Sequence, residues 1–501
     1  MGIQVITIDM ERPRGIPITE TDWDQTPPAV QELVGLVWQE NQLLKKQLAE
    51  MKRGFEKQVG VLQAEVEKLR EQVNKNSHNS SKPPSSDGLR QRNYPKPEPS
   101  GEKKGARKGH HGHGRKLKGA QEVNEIVKSV PTACEECGAL LLGEDPQPER
   151  HQVSEVPKIK AAVVEYQRHS LDCLVCGHRN QAEWPTGMPK GSFGERLQAL
   201  IGYLGGRFGV SQRNMVELLG TVFQVDISLG SIPAQERRVS RALKHPVATA
   251  LSYVQAQKAV NLDENSWPEL TQKFWLWVCS TPSVTIFRIF KDRSALGAEK
   301  LLGSCFSGTV GSDRYGAYSW LDPCNRQVCW AHLKRDFQAW VERGGESRVI
   351  GRLLLVQFKA IFGLWHRVRD GTLSRANFQA AMQPIRREFI DLLEVGTCLD
   401  HAETRTTCHN ILKIKEALWT FVDQEGVEPT NNAAERALRR GVIWRHHSYG
   451  TQSASGSLFV ERILSAVITL RLQNRDVLDY LAAACSAASL GIPAPSLLPS
   501  L

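Results

Sequence analysis

The stretch Ala259-Val-Asn-Leu-Asp263 is a short apolar segment that ends in an acidic residue, and Thr309-Val-Gly-Ser-Asp313 repeats the pattern further along the chain. Between them, residues 274–279 and 284–290 read as two strands joined by a turn, and residues 295–302 have helical spacing. A last apolar run at residues 326–330 leads into a helical pattern at residues 331–342. The sequence therefore predicts three strands, a helix, a strand and a final strand followed by a helix.

This order of elements is typical of an RNase H-like core, a mixed sheet with flanking helices. Helical patterns at residues 353–362, 385–393 and 411–421 interrupt it before its last helices, at residues 431–440 and 456–473. We predict a multidomain α/β protein, because 501 residues exceed what one core organises. Its predicted parts are an arm (1–29), a coiled coil (30–73), a basic linker (74–119), a zinc ribbon (120–187), a helix-turn-helix (190–250), the core (256–342 and 428–481), an all-helical insertion (343–427) and a C-terminal tail (482–501).

The N-terminal helix has an apolar seam with alternating steps of three and four residues. The seam positions are Val34, Val37, Asn41, Leu44, Leu48, Met51, Phe55, Val59, Leu62, Val66, Leu69 and Val73, and the step from Phe55 to Val59 is a four-residue stutter. This heptad spacing predicts a coiled coil that forms a homodimer or higher oligomer, and Asn41 at an a-type position favours a parallel register. The alternative is an amphipathic helix packed on its own domain.

The linker carries most of the net charge of +10, with twelve basic and three acidic side chains between Lys75 and Lys118. Its Pro, Ser, Gly and Lys content cannot bury enough apolar surface to fold alone. Basic tethers usually contact phosphate backbones. The predicted DNA contacts in this segment are Lys103, Lys104, Arg107, Lys108, Arg115 and Lys116.

Two Cys-x-x-Cys-Gly turns, Cys134-Glu-Glu-Cys137-Gly and Cys173-Leu-Val-Cys176-Gly, predict one structural Zn²⁺ held by four thiolates. Residues 153–156 and 161–166 are predicted as strands of this ribbon. A redox pair is the competing interpretation. The remaining thiols should be free: Cys279, Cys305, Cys324, Cys329, Cys398, Cys408 and Cys485.

Residues 193–245 are helical, and a Ser cap at Ser211 with Gly220 at the end predicts a short first helix. A second helix rich in arginine follows, which suits a DNA-binding helix-turn-helix. A plain helical hairpin with a solvated charged face is the alternative. The predicted DNA contacts here are Arg213, Arg237, Arg238 and Arg241.

Phosphodiester cleavage and transfer need divalent ions, and hard Mg²⁺ prefers carboxylate ligands. Asp263 and Asp313 end predicted strands, and Glu435 lies on a helix that can cover them. We therefore predict that these three hold two Mg²⁺ (or Mn²⁺) ions. Competing acids are Asp292, Asp322, Asp336 and Glu461. DNA phosphates are expected near Lys334, Arg335, Arg436, Arg439, Arg440 and Arg445, while His332 either contacts DNA, orients a ligand or is structural.

The chain resembles the insertion-sequence sixty-six family of bacterial DDE transposases, from its N-terminal helix to about residue 481. The resemblance rests on these motifs: Asn79-Ser-Ser-Lys-Pro-Pro-Ser-Ser-Asp87, the two Cys knuckles, Asp263-Glu264, Asp313-Arg-Tyr315, Cys329-Trp-Ala-His332 and Asn431-Asn-Ala-Ala-Glu-Arg-Ala-Leu-Arg-Arg440. It implies that Asp263, Asp313 and Glu435 are the catalytic triad. Asn265, Arg314 and Thr430 depart from the pattern of the family.

The resemblance implies an enzyme that binds the terminal inverted repeats of its element, frees 3′-OH ends and joins them to target DNA, with element-encoded accessory proteins as further partners. A nuclease or resolvase that does not join ends, and a catalytically inactive DNA-binding regulator, are the alternatives. The apolar runs fall short of the roughly 18 residues of a membrane span. With no signal pattern at the acidic N-terminus, we expect a cytoplasmic, nucleoid-associated protein.

Overall fold

A computed structural model describes residues 11–74, 116–189 and 191–499. The chain divides into two compact units, residues 1–93 and residues 94–501. Most of the basic linker, including Lys103, Lys104, Arg107, Lys108 and Arg115, lies outside the described residues.

The first unit is dominated by one long helix. Helix α1 (Glu20–Asp24) precedes α2 (Pro28–Asn74), so the helix predicted at residues 30–73 is confirmed. Trp23 is buried, and its carbonyl accepts a 2.6 Å hydrogen bond from Gln31 Nε2 on α2. The apolar seam further along α2 stays exposed, with Met51 and Phe55 about 70 % accessible (71 % and 70 %).

The second unit begins with the two Cys knuckles and a small antiparallel sheet of β1 (Ser170–Asp172) and β2 (Arg179–Gln181). The strands predicted at residues 153–156 and 161–166 are wrong, because these residues form no strand. Their apolar side chains are exposed, with Val163 at 90 %. A strand needs a paired neighbour, and β-prone composition alone does not supply one.

Four helices follow: α3 (Glu195–Tyr203), which continues as a π-turn over Leu204–Phe208, then α4 (Gln212–Phe223), α5 (Ser231–Ala242) and α6 (Lys244–Gln255). The Ser211 hydroxyl caps α4 as predicted, by accepting the N–H of Asn214. The helix runs past Gly220 to Phe223, so the predicted end was too early. Helices α3 to α5 share a small apolar cluster of Ile201, Met215, Leu219, Ile227 and Ile232.

The central part of the second unit is built on a five-stranded sheet in the order β5-β4-β3-β6-β7. Its strands are β3 (Ala259–Glu269), β4 (Gln272–Ser280), β5 (Thr285–Phe290), β6 (Thr309–Ser312) and β7 (Arg326–Val328). Strands β3 to β5 are antiparallel neighbours, whereas β6 and β7 run parallel to β3. Helix α7 (Ala295–Leu302) lies between β5 and β6 in the chain, and the predicted order of elements is confirmed.

A helical segment follows β7, as predicted. It comprises α8 (Trp330–Arg343), α9 (Gly345–Arg369), α10 (Arg375–Gly396), α11 (Ala402–Leu412) and α12 (Thr420–Asp423). Its core is aromatic, with Trp330, Trp340, Phe378, Phe389 and Trp419 all buried. The chain then returns to the sheet through α13 (Asn432–Ser448), α14 (Ala454–Leu472) and α15 (Val477–Leu490).

Within the described part of the chain, α9 is the one helix that is long and apolar enough to cross a membrane by length and composition. The sequence has no uninterrupted apolar run at this position, because charged residues lie within α9. Its Ile350, Leu354 and Ile361 are buried in the aromatic core of the helical insertion.

The C-terminal tail predicted at residues 482–501 is in fact part of the fold. Helix α15 extends to Leu490, and Ala484, Cys485 and Leu497 are buried in the main core together with Val239 of α5. Helices α3 and α5 contact α15, so the predicted helix-turn-helix is packed onto the C-terminal helices.

The outer edge strand β5 is closed by side chains rather than by another strand. Three acceptors on α14, spaced four residues apart, bind the backbone N–H groups of alternate β5 residues: Glu461 with Ile289 at 2.7 Å, Ser465 with Phe287 at 2.8 Å, and Thr469 with Thr285 at 3.0 Å. The length of a four-residue step along α14 thus matches the length of a two-residue step along β5. These backbone N–H groups at the sheet edge therefore have acceptors and do not form an exposed row of unpaired donors.

Replacing Ser465 with Ala should lower the free energy of unfolding by about 1–3 kcal/mol, because the buried N–H of Phe287 loses its acceptor. Chemical denaturation of the two proteins measures the difference. Ser489→Ala, at an exposed position on α15, is the control and should change it by less than about 0.5 kcal/mol. Equal effects of the two substitutions would contradict a role for the α14 acceptors.

Candidate active site

The parallel pairing of β3 with β6 places two acidic residues at the same level. The last paired residues are Asn261 and Gly311, and Asp263 and Asp313 each follow two positions later. Since side chains alternate between the faces of a strand, both carboxylates lie on the face of Asn261 and Gly311. The prediction that β3 ends at Asp263 is wrong. The strand continues to Glu269, because β4 still pairs with it there. Asp263 lies where the parallel neighbour ends.

Helix α13 covers this face and presents Glu435 from its first turn. It packs closely on the sheet, because a Cβ at Gly441 would collide with the Leu276 side chain. Asn431, just before the helix, is 1 % exposed and joins two strand ends. Its side-chain Nδ2 donates to the Leu262 carbonyl at 2.5 Å, and its backbone N–H donates to Cys329 Sγ at 3.2 Å.

Asp313 and Glu435 are close enough to Asp263 for their charges to act on it. Burial raises the pKa of Asp263 well above its ordinary value, and the charges of Glu264, Asp313 and Glu435 raise it further. The carboxylate oxygens of Asp263, Asp313 and Glu435 are not all within 4.8 Å of one another, so they do not form a single-ion cluster.

Glu264 lies on the opposite face of β3 and is held by its neighbours. It is 7 % exposed and accepts hydrogen bonds from Tyr318 Oη at 2.6 Å and Arg293 Nε at 3.1 Å. Burial raises the pKa of Glu264 although both partners favour the charged form. The guanidinium of Arg293 also stacks on Tyr315, with its Cζ 3.9 Å from the ring centroid. Glu264 therefore fixes the structure behind Asp263.

Arg326 is a positioning residue that the sequence did not reveal, since it reads there as an ordinary strand residue. It is 3 % exposed, and its guanidinium donates to the Asp313 carbonyl at 2.6 Å, Ser312 Oγ at 3.1 Å and the Tyr318 carbonyl at 3.3 Å. Burial lowers the pKa of Arg326 to about 10. One side chain thus holds the loop that carries Asp313.

His332 lies beside Glu435, with 3.6 Å between Nδ1 and Oε1. Burial and the charge of Arg335 lower the pKa of His332. Three buried polar atoms here have no hydrogen-bond partner: His332 Nδ1, Glu435 Oε1 and Asn431 Oδ1. Cys329, His332 and Glu435 form the single cluster of three potential metal ligands, all within 4.8 Å, that occurs among the described residues.

The competing acids have structural partners. Glu461 accepts the N–H of Ile289, and Asp336 forms a 2.5 Å ion pair with Arg314. Asp292 and Asp322 accept the backbone N–H groups of Ser294 and Cys324.

The predicted DNA contacts fall into two groups. Arg238 and Arg335 are half-buried, and seven others are exposed on the second unit: Lys116, Arg213, Arg237, Arg241, Lys334, Arg436 and Arg439. Arg440 and Arg445 are used within the protein, since Arg440 donates to the Arg207 carbonyl and Arg445 donates to Asn265 Oδ1 at 2.5 Å. Trp444, next to Arg445, packs edge-on against Phe459.

The two Cys knuckles have matching backbone geometry. Cys134 N–H donates to the Ala139 carbonyl at 2.9 Å, and Cys173 N–H donates to the His178 carbonyl at 2.8 Å. Gly138 and Gly177 have φ of +70° and +72°, which favours glycine. Hydrogen bonds from the backbone of the second cysteine of each knuckle lower the pKa of Cys134 and Cys173. No three of the four sulfurs lie within 4.8 Å of one another, so the structure does not bring the knuckles together.

Comparison with known proteins identifies the class of protein as a transposase. A family model described as "Transposase IS66 family" matches residues 190–457, which is more than half of the chain and includes the whole sheet and Glu435. The chain belongs to the IS66 transposase family. The resemblance found from the sequence motifs is confirmed, and a DNA-acting enzyme is the class of activity that this family indicates.

Other similarities extend beyond residues 190–457. A second family model, described as a family of unknown function (DUF6444), matches residues 25–116. Two proteins of Sinorhizobium fredii are similar over most of the chain. The one called y4qI is 24 % identical over 75 % of this chain and 74 % of its own length, and y4hP is 23 % identical over 72 % and 71 %.

Asp263→Asn should raise the stability of the metal-free protein at mildly alkaline pH. Because the folded-state pKa of Asp263 lies above its unfolded value, ionisation costs the wild-type fold more as pH rises towards that folded pKa. The gain from Asn should therefore shrink as pH falls and vanish below the ordinary pKa of Asp. Denaturation at a series of pH values in chelator measures it, with the exposed Asp226→Asn as control. A gain that does not depend on pH would contradict the electrostatic explanation.

Proposed function

We propose that the chain is a DDE-type transposase whose sheet is an RNase H-like catalytic core. It would cleave DNA at the ends of its element to free 3′-OH groups and join them to target DNA. The observation that carries the proposal is the position of Asp263, Asp313 and Glu435 on one face of the sheet, two from parallel strand ends and one from the helix above them. The strand order β5-β4-β3-β6-β7 supports the same assignment.

The donor set fits two Mg²⁺ or Mn²⁺ ions. It consists of carboxylates, the ligands that hard divalent cations prefer, and the Oε1 atom of Glu435 is buried without a partner. The raised pKa of Asp263 marks a place where added positive charge is favourable. When bound, such ions would activate the attacking oxygen and stabilise the leaving oxygen of the phosphodiester. Asp263, Asp313 and Glu435 would hold them, while Asn431 and Arg326 position these side chains.

DNA would lie along the face that carries Glu435. Arg436 and Arg439 share its helix and are exposed, and Lys334 is exposed on α8 beside it. These cations would contact phosphates and position the duplex without reading its sequence. Reading of the terminal inverted repeats is assigned to the arginines of α4 and α5, since Arg213, Arg237 and Arg241 are exposed there.

Substitution of Asp263, Asp313 or Glu435 by Ala should abolish cleavage and strand transfer while DNA binding is largely retained. Loss of several kcal/mol of charge stabilisation corresponds to a decrease of roughly 10³-fold or more in rate. Cleavage, strand transfer and binding are measured with a labelled duplex that carries an element end. Asp322→Ala, an exposed acid of the same core, is the control.

Near-normal cleavage by any of the three variants would remove that residue from the triad. Cleavage without joining by the wild-type protein would instead indicate a nuclease or resolvase. Absence of cleavage in every divalent ion would indicate a DNA-binding regulator.

The four cysteines Cys134, Cys137, Cys173 and Cys176 are proposed to bind one structural Zn²⁺. The paired turns and the amides directed at Cys134 and Cys173 support thiolate ligands, although binding would require the two knuckles to approach each other. Elemental analysis of protein purified without chelator should give one tightly bound zinc per chain. The Cys134→Ser/Cys173→Ser variant should lose it, and zinc retained in that variant would contradict the proposal.

Helix α2 is proposed to form a parallel homodimer, so that two active sites can act on the two ends of one element. Its exposed seam, with Met51 and Phe55 accessible, supports burial against a second copy. Asn41 would pair with its symmetry mate in the in-register arrangement.

Leu44→Glu/Leu48→Glu, which puts charges into the seam, should convert the dimer into a monomer that binds single ends without pairing them. Gln42→Glu/Gln47→Glu changes neighbouring exposed positions outside the seam and should leave the dimer intact. Light scattering gives the mass, and a two-colour assay with labelled ends measures pairing. A dimeric Leu44→Glu/Leu48→Glu protein that pairs ends normally would refute this assembly.

A further inference from the structure

A second kind of metal site lies at the edge of the proposed active site. Cys329 directly follows β7 and is the N-cap of α8, so that His332 falls one turn later on the same side of the helix. Glu435 reaches the pair from α13, and one ligand atom from each residue lies within 4.8 Å of the others. Small side-chain rotations would bring these atoms to the separations found around one ion.

We infer that Cys329, His332 and Glu435 bind a borderline-soft transition ion, with Zn²⁺ as the representative. The inference rests on the proposed function only through Glu435, which both sites use. A thiolate, an imidazole and a carboxylate are all ligands of Zn²⁺, whereas Mg²⁺ takes oxygen ligands. Three protein ligands leave the fourth position of a tetrahedral ion open to water or a DNA oxygen.

The surroundings favour this ligand set. His332 Nδ1 and Glu435 Oε1 are buried atoms without a hydrogen-bond partner, so binding breaks no existing hydrogen bond of these atoms. Cys329 Sγ already accepts the N–H of Asn431 at 3.2 Å, a contact that favours the thiolate, while burial raises the pKa of this thiol to about 11. On binding, the Cys329 thiol proton would pass to solvent.

The side chains around the site are partly exposed on one side, although His332 Nδ1 and Glu435 Oε1 themselves are buried. Cys329 is 1 % exposed and forms the floor, while the side chains of His332 and Glu435 are 31 % and 36 % exposed. An ion can therefore meet the imidazole and carboxylate first and the thiolate last.

Because Glu435 is common to both sites, the two kinds of ion compete for it. A Zn²⁺ ion at Cys329 and His332 would turn the Glu435 carboxylate away from Asp263 and Asp313. Zn²⁺ should thus inhibit Mg²⁺-dependent cleavage, and the inhibition should depend on a residue that the Mg²⁺ ions do not need.

Binding is tested directly with Co²⁺ added to the metal-free full-length chain, since thiolate ligation gives a near-ultraviolet charge-transfer absorption. The ribbon cysteines also contribute, so the comparison is between wild type and Cys329→Ser, in which the ribbon is unchanged. We expect Cys329→Ser to lose one Co²⁺ equivalent and its share of the absorption. His332→Ala should lower the affinity of the same equivalent by about tenfold or more. Cys485→Ser, another buried thiol, should match the wild type.

Inhibition is tested by adding Zn²⁺ to a cleavage reaction in excess Mg²⁺. Each variant is normalised to its own rate in Mg²⁺ alone. We expect Cys329→Ser to require at least about tenfold more Zn²⁺ for half-inhibition, whereas Cys485→Ser should respond as the wild type does.

Identical Co²⁺ spectra and stoichiometry for wild type, Cys329→Ser and His332→Ala would overturn the inference, whatever the activity of the triad variants. If the triad proposal fails but the Co²⁺ difference is found, the site stands and its link to cleavage falls. Should Cys329→Ser fail to fold, the His332→Ala titration and its Zn²⁺ sensitivity decide alone.

Discussion

The parallel register between β3 and β6 is the constraint on which the candidate site depends. With Asn261 opposite Gly311, Asp263 and Asp313 lie at the same level and on the same face. A slip of one residue would send one carboxylate to the opposite face of the sheet. Gly311 supports this register, because a Cβ there would collide with the Asn261 side chain. The same alternation continues through β7, where Ser312 pairs with Val328, and so places Cys329 level with Asp313 on the neighbouring strand.

The helical insertion takes part in holding this register. Its residues close the β7 edge much as α14 closes the β5 edge: Thr420 Oγ1 donates to the Arg326 carbonyl at 2.6 Å, and Phe421 N–H donates to Gln327 Oε1 at 2.8 Å. Trp330 Nε1 donates to the Leu418 carbonyl at 2.8 Å, which ties the start of α8 to the same segment. Since β7 has only three residues, these contacts stabilise its place in the sheet. The position of His332 on α8 therefore depends on packing within the insertion.

Local sequence patterns predicted the elements of the sheet, because alternation and acids near strand ends are short-range features. Asp263 and Asp313 were predicted for the same reason, whereas Glu435 was predicted from its place on a covering helix and from the family resemblance. Asn431 and Arg326 could not be found in this way, since their roles depend on contacts with Leu262 and Ser312, which are distant or unremarkable in sequence. Helix α15 was missed for a different reason: its Ala-rich stretch has no strong polar face, and its burial follows from helices α3 and α5, which precede it by more than two hundred residues.

The charges around the site explain the importance of helix α13, which carries Glu435. Asp263, Asp313 and Glu435 lie close together in a half-buried region, and Glu264 lies on the opposite face of β3. Two cations near them already have other partners: Arg293 pairs with Glu264, and Arg326 binds the backbone behind Asp313. Burial is the largest cause of the raised pKa of Asp263, and the repulsion from Glu264, Asp313 and Glu435 that adds to it is left for mobile cations to offset. Glu435 is the acid whose Oε1 has no fixed partner, and it lies between a group of hard oxygen ligands on one side and Cys329 and His332 on the other. Its carboxylate can complete either ligand set, and we infer that the two sets compete for it. The identity of the cation bound there would then determine whether α13 presents Glu435 to the two aspartates or holds it away from them.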